Sequence, residues 1–239
     1  VYTLSGGLKA VVWLESFQFG LYLLGGLVSV AFLFQSLDMP LSDVAAALFA
    51  AGKLKIIDPD PHIFTKPLAF FSAFIGGTLL SLSSHGVDYM MVQRVLGCRD
   101  LGAARKAMIG SGLFVLFQFS VFLLAGSLIW MFMHGVPMQK DREFAWFIVH
   151  YLPVGLKGLL VAGVLSAAMS THSSAINSLA SSTVNDILGG RTSLTVSRVI
   201  SLAWAVVLII IALLFDESNE AIVMLGLEIA SFTYGGLLG

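Results

Sequence analysis

Charged residues and cysteine are both scarce in this sequence of 239 residues. Only 11% of the residues are charged, whereas soluble globular domains carry about 25%. The formal net charge is −1, so no excess of basic residues indicates nucleic acid as a partner. The single cysteine, Cys98, excludes an internal disulfide and any cysteine-based metal cluster.

The motifs of soluble enzymes are also missing. The sequence contains no glycine-rich phosphate loop and no zinc-protease motif, and no acid is placed to orient a catalytic Ser–His pair. His85 has no second histidine at the spacing of metal ligands. We therefore expect neither an enzyme nor a metal centre, and we interpret His85 as a hydrogen-bonded interior histidine.

Apolar residues are abundant, at 57% of the chain, and the mean hydropathy is +0.92. A membrane-spanning helix needs about 20 mostly apolar residues. Five segments satisfy this and a sixth begins near residue 220; the five lie near 10–35, 67–92, 107–133, 157–188 and 195–215. The sequence thus predicts an all-α membrane protein with about six transmembrane helices. Because both ends look cut, we expect an internal fragment of a longer protein.

The loop between the second and third segments is basic. It contains Arg94, Arg99, Arg105 and Lys106 against one acid, Asp100. Short loops rich in Lys and Arg remain on the cytoplasmic side of a membrane. We therefore predict a multi-pass protein of the cell membrane with this loop in the cytoplasm.

The second segment contains groups that weaken a membrane helix. Gly76 and Gly77 lie in its apolar part and are followed by a run of small and polar residues: Ser81, Ser83, Ser84, His85, Gly86 and Asp88. Such a run is typical of a discontinuous helix, whose break exposes backbone groups to a substrate cavity. A kinked helix that only packs against its neighbours is the alternative.

The fourth segment is the richest in hydroxyl groups. Ala167, Ser170, Thr171 and Ser174 share one face at helical spacing. Neutral hydroxyls and backbone carbonyls are oxygen ligands of the kind that suit sodium. The alternative is a helix of small residues that packs closely, with hydroxyls bonded to the preceding turn.

Two carboxylates lie within apolar segments, where ionisable groups are costly and need an explanation. Glu15, one turn from Gln18 in the first segment, either reaches water at the cytoplasmic end or lines a path for a cation. Glu228 lies deeper, in the last segment.

Three stretches carry a family resemblance. Residues 6–18, GGLKAVVWLESFQ, resemble the pattern GG-x-x-AV-x-W/Y-T-D-x-x-Q of the sodium:solute symporter family, which includes sodium–glucose and sodium–proline symporters. Residues 88–96, DYMMVQRVL, are similar to N/D-Q-x-x-x-QR-x-L. Residues 155–178 resemble the pattern GL-x-GL followed by AA-x-M/V-S-S/T-x-x-S-x-x-NS. The three stretches occur in the family's order and spacing.

The resemblance implies a LeuT-type fold of two inverted five-helix repeats. Residues 1–239 would be part of a single transmembrane domain, with the last helix of repeat one near 10–35 and repeat two near 67–239. It implies symport of a small organic solute by alternating access, with sodium as the co-transported ion and the lipid bilayer as surroundings.

The resemblance also implies site residues. The ligands of the family's shared sodium site fall on the backbone carbonyl of Ala167 and the hydroxyls of Ser170 and Thr171. Glu15 falls where the family has an aspartate on the cytoplasmic sodium exit route.

The solute cavity is where the chain departs from the sugar-transporting branch of the family. Val115 falls near that branch's sugar-contacting lysine and Leu227 near its sugar-contacting glutamine, which disfavours a sugar. The resemblance implies a cavity lined by Ser81, Ser84, His85, Val115, Leu227 and Glu228.

Two other functions remain as alternatives. The same fold occurs fused to signalling domains, where it would bind a solute and report it. A channel or a structural membrane subunit would predict no saturable uptake and no sodium dependence, and the Ser170–Thr171 pair argues against it.

Overall fold

The computed structural model describes residues 2–55, 57–62, 65–66, 68–136, 142–190, 192–214 and 222–238, with the backbone alone for 2–11 and 238. Within these ranges every regular element is helical, which confirms the predicted all-α class. In chain order the helices are α1 Tyr2–Ser36, α2 Leu41–Ala50, α3 Phe70–Gly86, α4 Tyr89–Leu96, α5 Leu101–Phe132, α6 Glu143–Tyr151, α7 Val154–Ser182 with a π-helical continuation Thr183–Ile187, α8 Leu194–Leu214 and α9 Ile222–Leu238.

Several of these helices can cross a membrane. Among the described residues, α1, α5, α7 and α8 are long and apolar enough, and α3 with α4 makes a fifth span if the bent pair is counted as one. The predicted sixth span corresponds to α9, an apolar helix of 17 residues, slightly shorter than the roughly 20 that a perpendicular span needs. The chain is a multi-pass membrane protein.

The chain divides into two compact units. The first consists of Val1–Gly26 and Ile148–Asn219, and the second of Leu27–Phe147 and Glu220–Gly239. The start of α1 therefore belongs with α7 and α8, while α2 to α5 and α9 belong together. The expected single transmembrane domain stays a prediction.

Two glycines bring α1 and α7 close together in the first unit. A Cβ atom built on Gly163 would lie 3.2 Å from the Cα of Tyr22, and one built on Gly25 would lie 2.6 Å from a methyl of Leu160. Positions that rise along α1 meet positions that fall along α7, so the two helices are antiparallel. Small residues allow this approach because they place no side chain between the backbones.

We expect Gly163→Ala to destabilise the full-length protein by about 1–3 kcal/mol, the usual effect of forcing a methyl group into a packed site. The new methyl would meet the backbone of Tyr22, which cannot rotate away as a side chain can. The melting temperature in detergent should fall by several degrees.

Gly158→Ala on the same helix is the matched control, because nothing lies within 4 Å of its Cβ position. Alanine is the better helix former, so this variant should melt at or slightly above the wild-type temperature. Equal melting temperatures for the two variants would contradict the close approach of α1 and α7.

The second segment is discontinuous, as predicted, and its break lies at the end of the run from Gly76 to Asp88 that indicated it. Helix α3 runs unbroken through Gly76 and Gly77, and the bend of 60° follows it, at Val87 and Asp88. The reason is capping. Asp88 has an extended backbone and its carboxylate accepts a hydrogen bond from the N–H of Met90 at 2.9 Å, which starts α4 in a new direction.

The backbone groups freed by this break stay satisfied. The N–H groups of Val87 and Asp88 both donate to the carbonyl of Ser83, at 3.0 and 3.1 Å. Ser83 is fully buried. A broken membrane helix needs such local partners, because lipid offers none.

Hydrogen bonds join several of the described residues that precede α3. The Asp60 carboxylate accepts hydrogen bonds from the ammonium of Lys66 and from the N–H of His62 at 2.9 Å, and these contacts, the lysine first, lower the pKa of Asp60 to about 2. The N–H of Phe70 donates to the carbonyl of Asp58 at 2.8 Å. Asp60 therefore stays ionised and paired well into the acidic range.

Candidate functional site

The three predicted sodium ligands lie within about one turn of α7. The hydroxyl of Thr171 donates to the carbonyl of Ala167, with the two oxygens 3.1 Å apart. Two oxygens at this separation can both contact one small cation, once the hydroxyl hydrogen turns away from the carbonyl. Ser170 is half-buried beside them and Thr171 is exposed.

A polar cluster lies further along the same helix, where α7 faces α1. The hydroxyl of Ser174 donates to the carboxylate of Glu15. Both Ser174 and Gln18 are buried. The side-chain oxygen of Gln18 has no hydrogen-bond partner among the described residues. The structure thus places Glu15 against the α7 face that also carries the predicted ligands.

A cavity of about 680 Å³ lies between α3 and α5 in the second unit. Its volume falls within the usual range for small-molecule sites, roughly 300–1,000 Å³, but the cavity is open and most of its lining residues, Phe74 and Leu82 among them, are exposed. Three residues predicted to line a solute cavity are among its walls: Ser81, His85 and Val115.

Ser84 does not line this cavity but holds the histidine that does. Its hydroxyl lies 2.9 Å from Nδ1 of His85, and the same nitrogen lies 3.2 Å from the carbonyl of Ser81. His85 is half-buried and hydrogen-bonded, as predicted for an interior histidine. These contacts leave Nε2 as the ring nitrogen for a solute.

Leu227 and Glu228 are not among the lining residues of this cavity. Both belong to α9 and both are exposed. Helix α9 packs against α3, so these two residues share a unit with the cavity without contributing to its wall.

Two hydroxyl residues of the cavity were missed by the sequence reasoning. Thr78 lines it from α3 and Ser111 from α5. The sequence did contain a signal for Thr78: Thr78, Ser81 and His85 are spaced by three and four residues and therefore share a helix face. Nothing local to Ser111 indicates which helix it faces.

Fold and site together define a helical, multi-pass membrane protein with a broken span beside a mainly apolar cavity that carries a few polar side chains. The chain belongs to the sodium:solute symporter family, whose family model matches residues 1–234. Because this is a family of transporters, the expectation that the chain is not an enzyme is confirmed.

Relatives of known identity support the assignment. The chain is 29% identical to the human sodium-coupled monocarboxylate transporter 1 over 198 residues, 78% of this chain and 32% of that protein. It is 32% identical to the rabbit sodium-dependent multivitamin transporter, over 79% and 31% of the two chains. It is 28% identical to the human sodium/iodide cotransporter, over 100% and 39%. The chain spans about a third of the length of these relatives.

Proposed function

We propose that the full-length protein is a sodium-coupled symporter that moves a small solute across the membrane by alternating access. The observation that carries this proposal is the set of neighbouring oxygens of Ala167, Ser170 and Thr171 on α7, in a chain of the sodium:solute symporter family. The family assignment indicates sodium as the co-transported ion. Coupling requires that sodium bind one conformation of the carrier better than the other.

The site on α7 would hold sodium through neutral oxygens. The carbonyl of Ala167 supplies a strong dipole, and the hydroxyls of Ser170 and Thr171 accept the cation with their lone pairs. In the described structure the Ala167 carbonyl accepts from the Thr171 hydroxyl and, as an interior residue of α7, from the helical N–H four residues on. An arriving ion would share this carbonyl with the helix and displace the hydroxyl hydrogen.

Glu15 would attract the departing cation. Its carboxylate, bonded to Ser174, lies about one turn of α7 beyond Ser170. A negative charge in an apolar span stabilises a nearby cation strongly because the surroundings screen it poorly. We place Glu15 on the route from the α7 ligands to the cytoplasm.

We propose that the solute is a small anion. The cavity between α3 and α5 has the hydroxyls of Thr78, Ser81 and Ser111 and the imidazole of His85, and no carboxylate among its described lining residues. The donors to an anion are the Ser81 hydroxyl and, when Ser84 donates to Nδ1 of His85, the Nε2–H of that ring. The hydroxyls of Thr78 and Ser111 donate to the carbonyls of Phe74 and Met108. The names of relatives as monocarboxylate and iodide transporters agree with this choice.

The plasma membrane is the proposed location, with the loop from Arg94 to Lys106 in the cytoplasm. Arg94 lies in the last turn of α4, Arg99 between α4 and α5, and Arg105 and Lys106 in the first two turns of α5. All four are near helix ends, where the positive-inside rule counts basic residues most. In this orientation α3 crosses the membrane toward the cytoplasm, so α4 lies on the cytoplasmic side. Helix α9 then crosses in the same direction as α3, which places its end on the cytoplasmic side as well.

Uptake into proteoliposomes containing the full-length protein tests the proposal. We expect an inward sodium gradient to drive accumulation of a monocarboxylate, a vitamin carboxylate or iodide, and choline in place of sodium to abolish it. Glucose serves as the neutral comparison. Equal uptake with sodium and choline for every solute would contradict symport, while sodium-driven uptake of glucose alone would contradict the anion assignment.

A further inference from the structure

Helix α4, which follows the break at Asp88, is only partly packed. It is eight residues long, Tyr89–Leu96, and contacts α3 and α5; six of its residues are half-buried and none is fully buried. Short helices gain most of their stability from burial of an apolar face. The polar contacts made at its first turn therefore add to this partial packing in setting the direction of α4.

Asp88 makes two of these contacts with its two carboxylate oxygens. One oxygen accepts from the N–H of Met90 at 2.9 Å and caps α4. The other accepts from the hydroxyl of Tyr234, on α9, also at 2.9 Å. Hydrogen bonds to a carboxylate are about twice as strong as those between neutral groups. One side chain thus joins the break, the start of α4 and a distant helix.

Helix α9 contacts both sides of the break. It packs against α3 before the break, and the Tyr234 hydroxyl reaches Asp88 after it. We propose that Tyr234 is a positioning residue that fixes the direction of α4 through Asp88. Its consequence for transport rests on the proposed function: α4 and α9 move together, and loss of the bond lets α4 swing about Val87 and Asp88.

Cys98 offers a reporter for the position of α4. It lies two residues after the helix, its N–H donates to the carbonyl of Val95 at 3.1 Å, and it is half-buried. It is the single cysteine of this sequence. The rate at which a maleimide alkylates its thiol therefore depends on how tightly the end of α4 is held.

The test uses full-length protein whose cysteines outside this sequence have been replaced, in inside-out vesicles with choline as the cation. We expect Tyr234→Phe to speed alkylation of Cys98 roughly tenfold, in line with loss of one hydrogen bond to a carboxylate. Tyr89→Phe is the matched control. Tyr89 is exposed and adjoins Asp88 in the chain, but it is the first residue of α4, so its hydroxyl cannot tie α4 to another helix through Asp88 as Tyr234 does. Its rate should equal that of the wild type.

Asp88→Ser separates the two contacts, because serine caps helices well but has one hydroxyl where aspartate has two oxygens. Alkylation should again be faster, and adding Tyr234→Phe should change nothing further, since both replacements remove the same bond. A wild-type rate in Tyr234→Phe, or multiplying effects in the double variant, would overturn the proposal.

The measurement is a rate constant per folded molecule, so a variant that merely folds poorly does not mimic the expected result. It also separates the two proposals. If the wild type fails to accumulate any solute with sodium, the proposed function is wrong while the alkylation rates still decide the role of Tyr234.

Discussion

Ser170→Ala and Thr171→Ala are each expected to raise the sodium concentration for half-maximal uptake by at least about tenfold in the full-length protein. Each change removes one oxygen from the proposed ligand set, and a contact between a charge and a polar group is worth about 1.5–3 kcal/mol. The solute concentration for half-maximal uptake should change much less at saturating sodium. Uptake as a function of sodium in proteoliposomes gives both values.

Two comparisons make this result specific. Ser178→Ala removes a half-buried hydroxyl from the same helix, two turns beyond Ser170, and should leave the sodium dependence unchanged. Thr171→Ser keeps the hydroxyl that lies 3.1 Å from the carbonyl of Ala167, so it should behave nearly as the wild type. Unchanged sodium affinity in both alanine variants would refute the site on α7.

Glu15→Gln is expected to lower the maximal uptake rate about tenfold. The amide oxygen can still accept from the hydroxyl of Ser174, but the negative charge that would draw the cation toward the cytoplasm is gone. In a poorly screened span a charge at short range changes a free energy by several kcal/mol, more than tenfold requires. Initial rates at saturating sodium and solute give this number.

Glu15→Asp is the conservative comparison, because it keeps the charge with a shorter reach and should retain most of the rate. Ser16→Ala is the neighbouring control: Ser16 is exposed and its hydroxyl donates to the carbonyl of Val12 within α1, at 2.8 Å. If Glu15→Gln transports at the wild-type rate, or Glu15→Asp is as slow as Glu15→Gln, the exit route does not depend on this charge.

The membrane-spanning helices could be predicted from the sequence because burial in lipid depends on local composition. A run of about 20 apolar residues has to form a helix in a bilayer, since nothing else satisfies its backbone. The segments predicted near 10–35 and 195–215 accordingly correspond to α1 and α8. Both ends of α8 and the end of α1 shift by one residue, and α1 begins eight residues earlier than predicted.

The position of the break within the run from Gly76 to Asp88 was not predictable from composition. Glycine is a weak helix former, yet α3 continues through Gly76 and Gly77. The break falls at Asp88, where a carboxylate caps the next helix. Capping, rather than propensity, decides where this helix ends.

Contacts between residues close in sequence could be predicted, whereas contacts between residues on different helices could not. Ser81 and His85 lie on the same wall of the cavity because they are four residues apart on one helix. The bonds from Ser174 to Glu15 and from Tyr234 to Asp88 each join residues more than 140 positions apart. Such pairings depend on how helices pack, which hydrophobic periodicity in a lipid-embedded chain does not specify.

The proposed sodium site is tested most directly by a structure of the full-length protein solved once in sodium and once in choline. We expect a density peak that is present only in sodium and is contacted directly by the carbonyl oxygen of Ala167 and the hydroxyl oxygens of Ser170 and Thr171. A sodium-dependent peak held by other residues, with these three oxygens facing lipid, would contradict the proposed site.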